Sequence, residues 1–230
     1  MIVRLRLRIG LVLLLLQPVL PSHAAVDRID VPSSPPASPA QPPPATEQPA
    51  LPAEGPPPTF DDKAVAADPA IRQLSGRIAA NPADRAVWYR RGQRYAVLGA
   101  YHLAIKDFSE AIRLNPRDVE AYNNRCWTRT VMGDLGAASK DCEEALRLQP
   151  GFADALDSRG LLNLKSGRVH SAITDFSAAL AVNPRLASSL YGRGLAKLRD
   201  GAVADGEQDI RSAKTINPNI ANEFASYGLR

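Results

Sequence analysis

The stretch RAVWYRRGQRYAVLGAYHLAIKDFSEAIRLNPRD, from Arg85 to Asp118, decides the fold, because its outline recurs three more times without a gap. Its proline, Pro116, is one of five spaced 34 residues apart: Pro82, Pro116, Pro150, Pro184 and Pro218. Setting that proline at position 32 of a 34-residue unit starts the units at Arg85, Val119, Ala153 and Ala187. Position 8 is then Gly92, Cys126, Gly160 and Gly194, and position 15 is Gly99, Gly133, Gly167 and Gly201. Position 20 is Ala104, Ala138, Ala172 and Gly206, and position 24 is Phe108, Cys142, Phe176 and Ile210. Large apolar residues recur at helical spacing on either side of the position-15 glycine, which suits the left-handed residue that ends a helix. Each unit therefore reads as two amphipathic helices and a turn, with small residues at positions 8 and 20 allowing close approach. Proline between units ends one hairpin and starts the next helix. A single hairpin cannot bury both faces, so the units are expected to stack into a solenoid.

The repeat resembles the tetratricopeptide repeat (TPR) family. Its first unit nearly spells the family pattern with Trp88, Gly92, Tyr95, Ala104, Phe108 and Pro116. The resemblance implies an all-α, right-handed α-solenoid with units over 85–118, 119–152, 153–186 and 187–218. The chain departs from the family pattern at position 7, which is Arg91, Arg125, Arg159 and Arg193 rather than Leu. Capping segments flank the units: a helix within 63–84 with the stripe Ile71, Leu74, Ile78, and a final one over 219–230 with Ile220, Phe224, Tyr227. Caps are needed because a terminal unit otherwise shows water a core face.

The N-terminal quarter is of a different kind. Arg4, Arg6 and Arg8 precede the apolar run Ile9–Leu16, and in Ser22, His23, Ala24 the −3 and −1 positions of a cut after Ala24 are small. That order is a secretory signal peptide over 1–24, the alternative being an uncleaved anchor. The apolar run is well short of the ~20 residues that span a bilayer, and no later segment is apolar enough. The only cysteines are Cys126 and Cys142, so no cysteine stands at the cut to carry a lipid. Residues 25–62 read as a disordered Pro-rich linker, with 12 prolines over 32–58 and Leu51 as the one large aliphatic there. At ~3.1 Å per residue the stretch 32–58 alone reaches on the order of 80 Å. The formal charge of +4 loses three with those arginines, leaving +1 for the remainder, so an anionic partner is not implied.

Within the units, Arg at position 7 faces Asp at position 23, namely Asp107, Asp141, Asp175 and Asp209, and the two positions stand level in an antiparallel hairpin. A four-rung ladder of ion pairs is the expected use, since a catalytic pair would occur once. Cys126 and Cys142 replace Gly and Phe in the same unit, a paired change that puts them in contact. Two readings remain open for them: a disulfide across the hairpin in an oxidising compartment, or two core thiols. His102 and His170 have no Cys or acid at ligand spacing, so a surface role is expected and no metal. Phosphate-cradling loops, nucleophile elbows and one-sided basic stripes are absent from the sequence, which argues against an enzyme, a cofactor and nucleic-acid binding.

In this family the first helices of successive units line a concave groove. The resemblance puts Tyr89, Asn123, Asp157 and Tyr191 there at position 5, and Gln93, Trp127, Leu161 and Leu195 at position 9. Positions 12 and 13 add Leu164, Leu198, Lys165 and Arg199. The expected groove is amphipathic, with two basic groups and Trp127 as its anchor. The basic clamp that holds chaperone C-termini in some members is not matched, since Tyr89, Asp154 and Ser158 stand at three of its positions. The function these features imply is a periplasmic or secreted, non-enzymatic adaptor that binds an extended peptide or helix of a partner protein. The alternative is a self-associating structural module of the cell envelope.

Overall fold

A computed structural model describes residues 62–230. The signal-peptide reading of 1–24 and nearly all of the Pro-rich linker lie outside the described residues. Eleven helices and no strand occur among the described residues: α1 (Asp62–Ala67), α2 (Pro69–Ala80), α3 (Arg85–Val97), α4 (Tyr101–Leu114), α5 (Val119–Met132), α6 (Leu135–Leu148), α7 (Ala153–Lys165), α8 (Val169–Val182), α9 (Ala187–Arg199), α10 (Val203–Ile216) and α11 (Ile220–Ser226). The pairs α3/α4, α5/α6, α7/α8 and α9/α10 are hairpins, and α4, α6 and α8 each pack on the first helix of the next pair. First helices also touch one another, α3 on α5, α5 on α7 and α7 on α9, so they form one continuous face. The array is the stacked α-solenoid expected from the repeat.

The position-15 glycines explain the turns. Gly99, Gly133, Gly167 and Gly201 have φ of 75°, 86°, 73° and 85°, a region where a Cβ would be strained. The periodic prolines play a narrower part than expected. Each lies in the turn after a helix, and α3 and α5 are started by other groups: Asp84 accepts from the Ala86 amide, and Asp118 accepts from the Ala121 amide at 3.2 Å. Pro82 thus stops α2 without entering α3, because Asp84 takes the N-cap position.

Each second helix buries one stripe. Ala104, Phe108 and Ala111, then Ala138, Cys142 and Ala145, then Ala172, Phe176 and Ala179 are all fully buried. Their i, i+4, i+7 spacing is the apolar face of an amphipathic helix, and each buried Phe contributes ~1.5–3 kcal/mol. The small residue opposite is required by contact. A Cβ at Gly92 would sit 2.8 Å from Phe108 Cε1, and one at Gly160 would sit 2.7 Å from Phe176. In unit two Cys126 carries the Cβ that those glycines lack, and Cys142 carries no ring; the two are joined as a disulfide with Cα atoms 5.3 Å apart.

All four Arg–Asp rungs are formed. The guanidinium Nε of Arg91, Arg125, Arg159 and Arg193 donates to Asp107, Asp141, Asp175 and Asp209 at 2.7, 2.9, 2.9 and 2.7 Å, and a second nitrogen completes each fork. The rungs also cross between units, since Arg91 and Arg125 each donate to a serine of the preceding helix, Ser75 and Ser109, at 2.9 Å. Such forks set the register of three helices at once.

At the N-terminal end the single capping helix expected over 63–84 is two helices. Asp68 breaks the run because its carboxylate accepts from the Ile71 amide at 3.0 Å, and Pro69 follows at the first helical position. Arg94 Nε, from α3, donates to the same carboxylate at 3.0 Å and fixes the cap on the array. No described helix is long and apolar enough to cross a membrane.

Candidate functional site in the concave groove

The face made by α3, α5 and α7 encloses a cavity of about 840 Å³, and residues of α11 form one of its walls. Five of the expected groove residues line it: Tyr89, Gln93, Asn123, Trp127 and Asp157. Helix periodicity places them together, since positions 5 and 9 of one helix share a face and stacking repeats that face every unit.

The second half of the expected groove is occupied by the chain itself. Leu161, Leu164, Tyr191 and Leu195 are buried in one cluster with Ile220, Phe224 and Leu229. The Tyr191 and Phe224 rings are 4.9 Å apart. Lys165 is 6% exposed, and its Nζ donates to the Val131 and Tyr227 carbonyls. These five residues are therefore corrected from partner-facing to buried within the chain: α11 packs on α9 of unit four, and Tyr227 just after it takes the bond from Lys165 of unit three. Leu198 is also corrected, because it packs on Gly206 of α10. Arg199 is exposed and donates to the Leu164 carbonyl at 3.2 Å rather than lining the cavity.

Trp127 stands where the open and closed halves meet. Its ring is edge-on to Tyr227 at 5.5 Å and to Tyr101 at 6.0 Å. Neither tyrosine was among the expected groove residues. Tyr101 starts a second helix, and Tyr227 ends the short C-terminal one. Tyr89 is held by Asn124, whose amide donates to the phenol at 2.9 Å, and by Gln93, whose amide does so at 3.0 Å.

The sign of the cavity differs from expectation. With Lys165 under α11 and Arg199 outside, its charged lining is Glu120, Asp154, Asp157 and Glu223, and no Lys, Arg or His is among its described residues. Burial pushes the Tyr89 hydroxyl up to about 12, and the neighbouring Glu120 carboxylate adds to the shift. Burial likewise raises Tyr227 to about 12, assisted by Glu223 and Asp157. Asp157 is itself pushed up to about 6 by burial, against hydrogen bonds from Ser189 and Ser188 that favour its charged form. The Ser189 hydroxyl donates to it at 2.5 Å.

His102 and His170 are both on the surface. Among the described residues no group of His, Cys, Asp and Glu is arranged to hold a metal ion.

Tetratricopeptide repeat family models match residues 85–118 and 158–219. Both segments are similar to tetratricopeptide repeats. The two matched segments flank the hairpin α5/α6, the one that carries the disulfide. Among solved structures, MamA superposes with a TM-score of 0.56 at 22% identity, covering 70% of this chain and 96% of MamA. A thermophilic TPR protein of Thermus thermophilus, TTC0263, gives 0.55 at 21% identity, covering 63% of this chain and 83% of its own. YrrB, a TPR protein with an unusual peptide-binding site, gives 0.52 at 16% identity, covering 69% and 81%. At these identities the likeness is one of fold. No curated protein matches the sequence.

Proposed function

We propose that this TPR chain is a non-enzymatic interaction adaptor that seats an extended peptide or a helix of a partner protein in the open half of its concave groove. The observation that carries the reading is the cavity of about 840 Å³ lined by Tyr89, Trp127 and Tyr227. Preformed concavities of this size, with aromatic walls and a few polar groups, are the usual form of a binding site. Affinity would come from the aromatic anchors and selectivity from the carboxylates.

The leader-like first 24 residues support a place of action outside the cytoplasm, periplasmic or secreted, after cleavage near Ala24. The Cys126–Cys142 bond supports the same reading, because disulfides persist in oxidising compartments. The self-associating alternative relied on end helices offering apolar faces to a second copy. Ile220, Phe224 and Leu229 instead face into their own chain, which favours the adaptor.

A photoreactive residue at Gln93, which is exposed and lines the cavity, tests the proposal in the native compartment. It is expected to capture one or a few partners that the same residue at exposed Lys140, on α6, does not. Equal capture from both sites, or capture only of a second copy of this chain, would count against the adaptor.

A further inference from the structure

We infer that the open groove takes a peptide segment carrying Lys or Arg side chains; the inference rests on the groove reading above and adds the chemistry of its ligand. Three observations converge on it. First, the full chain has a formal charge of +4, yet every charged side chain lining the cavity is a carboxylate. Low-dielectric walls around charges of one sign concentrate the opposite charge between them. Second, the walls are aromatic: Tyr101, Trp127 and Tyr227 stand edge to face around one point, with ring centroids 5.5 and 6.0 Å from Trp127. The face of an indole or phenol attracts a guanidinium or ammonium group, and nearby carboxylates reinforce that attraction.

The third observation concerns the backbone of the ligand. Asn123 is 8% exposed and lines the cavity. Its Oδ1 accepts from the Ser158 hydroxyl at 2.8 Å, and its amide nitrogen has no acceptor among the described residues. No buried side-chain nitrogen or oxygen is left unpaired among the described residues, so this amide keeps access to the cavity, where a peptide carbonyl can accept from it. A basic side chain over Trp127 and a carbonyl on Asn123 together describe a peptide rather than a free cation.

Charge also decides between a partner and the chain's own tether. Residues 29–62 contain no Lys or Arg and carry Asp30, Glu47, Glu54, Asp61 and Asp62, so the Pro-rich segment has the wrong sign to fill this groove.

Fluorescence anisotropy with short labelled peptides tests the inference on the purified chain, using alternating Ala–Arg, Ala–Glu and Ala–Ser sequences and a peptide of residues 32–58. The Arg peptide is expected to bind at least ~tenfold more tightly than the others at low salt, and more weakly as salt is added. Glu120→Gln with Asp154→Asn changes two exposed side chains and should weaken the Arg peptide by roughly fivefold or more without altering the melting curve. Equal Arg binding by that variant overturns the inference, because the affinity would then lie elsewhere on the surface. Tighter binding of the Glu or Ser peptide overturns the cationic ligand but keeps a peptide groove. Tight binding of the 32–58 peptide assigns the groove to the chain's own tether, and binding by none of the four overturns ligand and groove together.

Discussion

Lys165 Nζ donates to the Tyr227 backbone carbonyl at 2.9 Å, tying the end of α7 to the end of a helix 62 residues later in the chain. The ammonium is nearly buried and also reaches the Val131 carbonyl, so one side chain holds together the second unit, the third unit and the cap. Lys165→Met removes both bonds while keeping the aliphatic bulk. Bonds from a charged donor contribute ~1.5–3 kcal/mol, so the amides of α11 should exchange with deuterium roughly tenfold faster or more. Unchanged exchange over 220–229 would show that the apolar contacts alone hold the cap.

The Cys126–Cys142 bond closes a sequence separation of 16 residues, and reducing it should cost about 3 kcal/mol of stability. Cys126→Gly combined with Cys142→Phe restores the pair found in units one and three. The double variant is expected to melt close to the oxidised parent and to be indifferent to reductant. Cys142→Phe alone should be far worse, because the ring meets the Cβ that Gly92 and Gly160 lack. A double variant no more stable than that single would refute the compensation.

Asp157 gives stability a pH dependence of definite sign. Its folded value, about 6, lies above the ordinary 3.8, so the folded chain keeps this proton to higher pH than the unfolded one does. The group's contribution therefore falls as pH rises from about 4 to about 6, and the penalty is fully present above that. Asp157→Asn should be stabilising by roughly 1–3 kcal/mol at pH 7 and neutral near pH 3, because Asn can still accept from Ser189. Denaturant melts at the two pH values check it; an equal shift at both would assign the effect to packing.

How far the solenoid could be read from the chain depends on what each residue's signal encodes. Gly133 at φ 86° and the Arg125–Asp141 rung follow from local geometry repeated every unit, so spacing alone reveals them. The place of α11 does not. Ile220, Phe224 and Tyr227 announce an apolar stripe, but a seven-residue helix can cover either face of a terminal unit, and which one is decided by tertiary contacts such as Tyr191 with Phe224. That one choice buried Lys165 and Leu195 and reversed the expected charge of the groove. Tyr101 and Glu223 were missed for a related reason, since they reach the cavity from outside the first helices.

The ladder offers a test of what its rungs contribute. Asp107 is 3% exposed and takes a two-pronged bond from Arg91, so Asp107→Ala strands a guanidinium and should cost ~3–5 kcal/mol. Replacing both partners, Arg91→Met with Asp107→Leu, should recover most of that in thermal melts. A double variant as unstable as the single would mean the rung adds stability in its own right rather than setting register.

The folded-back α11 also gives the array a direction. A solenoid ordinarily lengthens its recognition surface by adding repeats at either end. Here an added repeat beyond unit four would have to displace the tail before its inner face became usable, whereas one inserted ahead of Arg85 would extend the open groove at once. Lengthening of the open groove is therefore confined to the N-terminal end of the array, and α11 serves as a fixed stop at the other.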